Sequence, residues 1–259
     1  MRRLALVALV AGLAGLSAPA HAQAVASDAA DAAPSKAVIE PKAVVELFTS
    51  QGCSSCPTAD AVLSRLVKRD DIVALSLPVD YWDYLGWKDT LANPKFSERQ
   101  RAYGKARGDG AIYTPQVIVN SVAHVNGSDE DKIAHLIDKT SKALSASRVP
   151  IKLSESKDKL VVETGAAPNG MPTKEATLWL AAIAKSVTVP IERGENQGKT
   201  VTYTNVVREL IPIGMWNGTE MTVKLERQSF MRPGTDRCAV LLQQGHAGPI
   251  IGAALLKQF

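Results

Sequence analysis

The chain has 259 residues, of which 46% are apolar and 22% charged, an ordinary globular composition that excludes a disordered or fibrous protein for most of its length. Its 30 basic and 26 acidic side chains give a formal charge of +4 without long basic runs, which indicates neither nucleic-acid binding nor attraction to an anionic membrane. The length fits one large domain or two small ones, and the patterns along the chain favour two.

The N-terminus predicts export. Residues 1–22 combine a positively charged start, an apolar stretch over 4–16 and an Ala-His-Ala cleavage signal. Because the apolar stretch is too short to span a bilayer, we expect a signal peptide cleaved near the Ala22–Gln23 bond and no membrane anchor afterwards. Residues 23–37 are rich in Ala, Ser, Asp and Pro and indicate a disordered lead-in. The expected location is the periplasm or the exterior of the cell, where thiols meet oxidising chemistry.

The next part of the chain alternates strand and helix patterns. Apolar, β-branched runs predict strands, and apolar residues at helical spacing predict helices. In chain order the predicted elements are a strand at 38–49, a helix at 53–67, a strand at 72–79, a helix at 93–107, two adjoining strands at 115–119 and 121–125, and a helix at 128–144. We therefore predict an α/β domain over residues 38–146.

Residues 147–259 have a different texture. Short β-rich runs recur there between turn signals such as Pro168-Asn169-Gly170, which predicts a small, mainly-β, sandwich-like domain. The segment Arg193-Gly194-Glu195-Asn196 fits a polar turn most simply, with an interdomain or ligand site as the alternative. The sequence does not indicate the oligomeric state or the task of this domain.

Cys53 and Cys56 stand between a predicted strand and a predicted helix. Amide groups at a helix N-terminus favour a thiolate at Cys53, which attacks, and the spacing lets Cys56 resolve the mixed disulfide. A purely structural disulfide would stabilise the fold little because the loop it closes is short. A zinc site would need a second ligand pair at ligand spacing, which the sequence lacks. We therefore predict a redox dithiol with no metal and no dissociable cofactor.

The third cysteine, Cys238, lies in an apolar run. We expect it to be a buried, unpaired thiol, since free cysteine behaves as a small hydrophobic residue. Pairing with one of the other two cysteines is the alternative.

Two segments resemble the thioredoxin superfamily, and within it the glutaredoxin branch. They are VVELFTSQGCSSC, which ends at Cys56, and YTPQVIV, which contains Thr114 and Pro115. The resemblance implies that the Thr114–Pro115 bond is cis, that Pro115 packs beside Cys53, and that the Thr114 backbone pairs with an incoming peptide.

A second resemblance covers nearly the whole chain after the leader. The segments at 46–60, 79–89, 113–116 and 193–207 are similar to an exported bacterial family catalogued as domain of unknown function 1223. This resemblance implies a thioredoxin-like domain followed by a small β domain and supplies no substrate. Thr58 departs from the family, which more often has a proline there, and we expect this to alter the helix start rather than the chemistry.

Seven of the 13 aromatic residues lie between Tyr81 and Tyr113. This crowding follows the second strand, at the sheet edge where open α/β sheets place their sites, so we predict that Trp82 binds substrate. Packing between the two domains is the alternative for these rings. The candidates for a proton acceptor of Cys56 are Glu46, Asp80 and Asp83.

The leading hypothesis is an exported thiol-disulfide oxidoreductase that acts through Cys53 and Cys56 on protein or small-molecule thiols, in a direction that the sequence leaves open. One alternative is a periplasmic module that binds or delivers a soft metal such as copper(I) with the same two cysteines. A further alternative is a scaffold in which the dithiol is a relic and the β domain performs the function.

Overall fold

The computed structural model describes residues 38–39, 41–169 and 174–258. The predicted signal peptide and lead-in, residues 1–37, lie outside these ranges. Within them, no helix is both long enough and apolar enough to cross a membrane.

The described residues alternate strands and helices first and form mainly strands later. In chain order the elements are β1 (Val38–Ile39), β2 (Ala43–Thr49), α1 (Cys56–Leu66), β3 (Ile72–Pro78), α2 (Pro94–Arg107), β4 (Gln116–Val119), β5 (Ala123–Asn126), α3 (Glu130–Ala143), β6 (Ile151–Ser156), β7 (Lys159–Thr164), β8 (Ala176–Pro190), β9 (Thr200–Trp216), β10 (Met221–Glu226), the one-turn helix α4 (Arg227–Phe230), β11 (Arg237–Gln244) and β12 (Ile250–Leu256). Short 3₁₀ turns occupy Asp83–Leu85 and Ser145–Ser147.

Local sequence explains where the helices begin. The Asn93 side chain accepts a hydrogen bond from the Lys95 amide and caps α2, whose first residue is a proline. The Asp129 side chain accepts from the Lys132 amide and caps α3. Helix α1 has no side-chain cap, and its N-terminus is covered by other parts of the chain, described below.

One nine-stranded mixed sheet forms the centre, in the order β1-β12-β11-β8-β9-β3-β2-β4-β5. Strand β2 is parallel to β3 and antiparallel to β4, which is antiparallel to β5. The seam between β3 and β9 is a single parallel pairing, Ser76 with Val206, beside which the Asn205 side-chain amide donates to the Ala74 carbonyl at 2.9 Å. Strands from both sides of the predicted boundary at 146/147 thus share one sheet, within a single compact unit.

The C-terminal strands are longer than the sequence suggests. The run at 176–184 and the first part of the run at 186–192 belong to one 15-residue strand, β8, which pairs along its length with the 17-residue β9. The apparent break at Lys185 and Ser186 reflects two exposed side chains, and beyond it Val189 and Tyr203 are buried again in an apolar cluster. The expectation of only short strands is therefore wrong for β8 and β9.

Packing divides the molecule into layers. Helices α1 and α3 cover one face of the sheet through residues such as Leu63 and Ile137, and α2 covers the other through Phe96 and Tyr103. A second sheet, in the order β10-β7-β6, packs its apolar side chains against β8, β11 and β12. The architecture is thus mixed α/β with a large mixed sheet and a small antiparallel sheet.

Candidate functional site

The two cysteines of the predicted dithiol are joined as a disulfide. Residues 50–56, here called the dithiol loop, connect the C-terminal end of β2 to the start of α1. The Cys53 amide donates to the Ser50 carbonyl and the Cys56 amide donates to the Cys53 carbonyl, each at 3.2 Å. These turns bring the cysteine Cα atoms to 5.4 Å, a separation suited to a disulfide.

The disulfide is enclosed. Cys53 is 3% exposed and Cys56 is fully buried, whereas the intervening Ser54 and Ser55 are exposed. The Ser55 hydroxyl lies 3.5 Å from the Cys53 sulfur, within reach of a hydrogen bond to sulfur. The sequence predicts that the first cysteine is accessible. In the disulfide form this expectation is wrong, because Cys53 is buried and segments distant in sequence pack on the loop that carries it.

One covering segment is the aromatic loop between β3 and α2, which contacts Gln51. The Gln51 amide donates to Asp89 Oδ2 at 2.8 Å, and its side-chain oxygen accepts from Trp87 Nε1 at 2.7 Å. Gln51 itself is 1% exposed. Burial raises the pKa of the Asp89 carboxyl, partly offset by the backbone amides that donate to it. This buried network holds the dithiol loop against the aromatic loop.

Trp82 links the dithiol loop to the proline segment before β4. Its indole nitrogen donates to Thr114 Oγ1 at 2.7 Å, and a Cβ at Gly52 would lie 3.0 Å from Trp82 Cβ, a tight approach that favours glycine there. The Thr114–Pro115 bond is cis, as the thioredoxin resemblance implies. Tyr84, 76% exposed, stacks on Trp82. The structure therefore brings Trp82 and Thr114 together beside the dithiol loop.

Glu46 does not lie on the dithiol side of the sheet. Side chains alternate along a strand, and Glu46 points with Phe48 toward α2, whereas α1 packs on the opposite face. Its carboxylate accepts from Arg99 Nε and from the Tyr103 hydroxyl, both at 2.7 Å. Glu46 thus forms a buried ion pair in the core under α2.

Asp80 and Asp83 lie in the aromatic loop and already have local partners. Asp80 Oδ1 accepts from the Ser97 hydroxyl at the start of α2. Asp83 Oδ1 accepts from the Asp89 amide at 3.1 Å. Both carboxylates are partly exposed and organise the loop.

Asp60, which the sequence pattern did not single out, is a carboxyl buried on the dithiol side of the sheet. It lies one helical turn after Cys56 in α1, where side chains four residues apart are neighbours at about 5–6 Å between Cβ atoms. Thr49 Oγ1 donates to one carboxyl oxygen at 3.2 Å, while the other is buried without a hydrogen-bond partner in the part of the chain described. Burial raises the pKa of Asp60 from 3.8 to about 7, and the nearby Asp89 charge adds to the rise. An acidic residue on the apolar face of α1 was the signal that could have found it.

A second covering segment comes from the C-terminal half of the chain. Residues 191–199, here called the cap turn, join β8 to β9 and close on themselves through bonds between Ile191 and both Lys199 and Gly198. Asn196 Nδ2 donates to the Gln51 carbonyl at 2.9 Å and to the Cys53 carbonyl at 2.8 Å.

The neighbouring residue of the cap turn also contacts the dithiol loop. Glu195 Oε2 accepts from the Ser54 amide at 3.2 Å. Of the two alternatives for this segment, the polar turn describes its local conformation, and the structure also places it against the dithiol loop at Cys53 and Ser54.

Cys238 lies elsewhere. It is in β11, opposite Ala182 and Leu256, where burial raises the pKa of its thiol to about 12. It is free and buried, as the sequence predicts, and takes no part in the disulfide. Among the described residues, no three His, Cys, Asp or Glu side chains converge as potential metal ligands.

Comparison with known proteins identifies structural relatives. No curated protein matches the chain. HBP35 of Porphyromonas gingivalis, at 12% identity and a TM-score of 0.55, covers 85% of this chain and 76% of its own, and shows similarity of fold alone. The crystal structure of a protein from Agrobacterium tumefaciens is 37% identical with a TM-score of 0.74, and the match covers 83% of this chain and 94% of that one. The family model described as protein of unknown function (DUF1223) matches residues 44–243, and the chain therefore belongs to that family.

Proposed function

We propose that this protein is an exported thiol-disulfide oxidoreductase with a thioredoxin-like core, which exchanges disulfides with protein or small-molecule thiols in the periplasm or outside the cell. The observation that supports it most directly is the Cys53–Cys56 disulfide, placed between the end of a central strand and the first turn of a helix. A dithiol at this position can cycle between two redox forms without a bound cofactor.

The arrangement of elements supports the proposed fold. The segment β2-α1-β3-α2-β4-β5-α3 contributes neighbouring strands in the order β3-β2-β4-β5, with α2 on one face and α1 and α3 on the other. A proline precedes the antiparallel strand β4. The alternation of strands and helices and the cis proline before β4 support the thioredoxin-like core that we propose.

The chemistry begins from the reduced dithiol. The Cys53 thiolate attacks one sulfur of a substrate disulfide, forms a mixed disulfide and releases the other substrate sulfur as a thiolate. The Cys56 thiolate then attacks the Cys53 sulfur, which re-forms the Cys53–Cys56 bond and releases the second substrate thiolate. Two electrons pass to the substrate, and the two thiol protons of the enzyme end on the product thiols or in solvent. The reverse sequence oxidises a substrate dithiol.

Asp60 is the proposed proton acceptor for Cys56. A buried thiol becomes a nucleophile only when it loses its proton, and Cys56 is fully buried. The Asp60 carboxyl lies one turn away on the same helix, has a buried oxygen without a partner among the described residues, and has a pKa of about 7. A carboxyl with this pKa can accept a proton near neutral pH.

Trp82, Thr114 and Pro115 are the proposed substrate contacts. Trp82 holds the Thr114 side chain through its indole nitrogen and lies against the dithiol loop at Gly52. The Thr114 backbone would then pair with an extended substrate segment in the manner of an added strand.

The test is redox cycling in defined glutathione buffers. We expect wild-type protein to interconvert between dithiol and disulfide forms, and Cys53→Ser and Cys56→Ser to lose this two-electron cycle. Cys238→Ser is the matched control, because it removes a buried thiol that lies outside the site, and it should cycle normally. Failure of the wild type to interconvert, or normal exchange by Cys53→Ser, would contradict the proposal.

Substrates can be identified by trapping. A Cys56→Ser variant, expressed with its leader, lacks the thiol that resolves mixed disulfides and should accumulate them through Cys53. The double variant Cys53→Ser, Cys56→Ser is the control and should trap nothing.

A further inference from the structure

The cap turn contacts the dithiol from the far half of the sequence. Asn196 is 1% exposed although the residues on either side of it are exposed. Its side-chain amide nitrogen uses both hydrogens, one on the Gln51 carbonyl and one on the Cys53 carbonyl. Its side-chain oxygen accepts from Lys199 Nζ at 2.9 Å. Through these three hydrogen bonds the Asn196 side chain attaches the cap turn to the dithiol loop.

The cap turn is itself a stiff unit. The Ile191 amide donates to the Lys199 carbonyl, and the Gly198 amide donates to the Ile191 carbonyl, at 2.9 and 2.8 Å. Gly194 has a positive φ of 78° and approaches Trp87 so closely that a Cβ there would lie 3.3 Å from Trp87 Cβ. The turn is therefore seated between the aromatic loop and the dithiol loop, with its two ends bonded to each other.

With the cap turn bonded to the dithiol loop, here called the closed form, thiol-disulfide exchange at Cys53 is blocked. In-line attack requires that a sulfur of the substrate reach the Cys53 sulfur, yet Cys53 is 3% exposed. The tip of the cap turn, residues 192–198, contacts the dithiol loop by hydrogen bonds to its backbone, and the tip residues other than Asn196 are exposed or partly exposed. Ile191, at the base of the turn, is buried in an apolar cluster with Leu91. Displacing the tip alone would cost a few hydrogen bonds and would leave Ile191 in the core.

We propose that the tip of the cap turn, residues 192–198, must move off the dithiol loop before Cys53 can exchange with a protein thiol or disulfide, and that Asn196 holds it closed. This rests on the proposed function and adds the control of access to it. A bulky partner needs the cap turn fully displaced, whereas a small reductant needs only a partial opening. The cap turn thus discriminates between partners by size.

The size of the effect follows from the two hydrogen bonds to backbone carbonyls. If each of these two bonds has an ordinary net strength, losing both shifts the equilibrium between the closed and the open cap turn toward the open form by about tenfold to thirtyfold. If opening precedes exchange and is fast, the rate of disulfide reduction rises by the same factor.

The experiment measures reduction of the oxidised full mature chain by dithiothreitol and by a reduced thioredoxin. Each reductant dithiol becomes a disulfide while the Cys53–Cys56 bond gains two electrons and two protons, and thiol labelling follows the product. Asn196→Ala should react about ten times faster with dithiothreitol, with a larger gain for the thioredoxin. Asn217→Ala is the matched control, since Asn217 also bonds within a turn, between β9 and β10, and it should react at the wild-type rate.

A second, milder variant tests whether faster reduction comes from opening of the cap turn rather than from local unfolding. Lys199→Met removes only the bond to the Asn196 side-chain oxygen, from an exposed residue, and should give a smaller increase in the same direction. Reduction of Asn196→Ala and Lys199→Met at the wild-type rate, in protein whose unfolding is cooperative, would overturn the proposal. If wild-type protein never cycles in glutathione buffers, the proposed function itself fails, so the two failures are distinguishable.

Discussion

Replacing Asp60 by asparagine should change how stability depends on pH. In the folded chain burial raises the pKa of this carboxyl from 3.8 to about 7. Between these two pKa values the folded protein binds a proton at Asp60 that the unfolded chain has released, so stability is lost as pH rises from the unfolded-state pKa to the folded-state pKa and levels off above it. The whole difference between the two pKa values corresponds to about 4 kcal/mol.

The measurable part lies between about pH 5 and about pH 8.5, where the unfolded carboxyl is ionised throughout and the folded one titrates, which gives a loss of about 3 kcal/mol. A side-chain amide does not titrate in this range, so the Asp60→Asn variant should lose this slope and become more stable relative to wild type as pH rises. The assay is urea unfolding of the oxidised protein across this range.

Asp131→Asn is the control, because Asp131 is exposed on α3 and its loss should leave the pH dependence unchanged. If Asp60→Asn and wild type keep parallel pH profiles, Asp60 does not hold a proton near neutral pH, and its proposed role with Cys56 is refuted.

Three further predictions concern Glu46 on the opposite face of the sheet and two residues that contact the dithiol loop. Glu46→Gln should destabilise the fold by about 3 kcal/mol, because it leaves Arg99 as a buried charge without its ion partner, and should leave the pH profile of exchange unaltered; urea unfolding and stopped-flow exchange check this. Glu195→Gln removes a carboxylate beside the Ser54 amide, so thiolate absorbance should show a lower Cys53 pKa and glutathione equilibration a more oxidising potential. Trp82→Phe loses the bond to Thr114 and should cost about 1 kcal/mol while raising KM for peptide substrates more than it lowers kcat.

Each of these has an outcome that would contradict it. A changed pH profile of exchange in Glu46→Gln would mean that Glu46 influences the dithiol despite its position on the α2 face. An unchanged Cys53 pKa in Glu195→Gln would mean that solvent screens the carboxylate fully. A purely kcat effect in Trp82→Phe would place the indole in the chemistry rather than in substrate contact.

The order of strands and helices up to α3 could be predicted because it depends on local signals. These signals are the apolar periodicity, the Asn93 and Asp129 helix caps, and the glycine and proline residues at turns. Each acts over a few residues, so it can be recognised in the sequence without knowing which other segment packs against it. The position of Cys53 and Cys56 between a strand and a helix follows from the same signals.

The identity of the buried acid at the site was not predictable in this way. Glu46 and Asp60 are both carboxyls in otherwise apolar elements, and which one faces Cys56 depends on which face of the sheet each helix covers. A shift of one residue along a strand reverses the face, so the choice is made by packing between elements rather than by spacing.

The sequence by itself therefore determined the elements up to α3 and the position of the two cysteines between a strand and a helix, since both follow from short-range patterns. Only the tertiary structure decided that the two halves share one sheet and that Asn196 meets Cys53 across a separation of 143 residues. Such a contact has no local signature: it forms because the turn of the β8–β9 hairpin packs on the dithiol loop and supplies hydrogen-bond donors where that loop has carbonyls to satisfy.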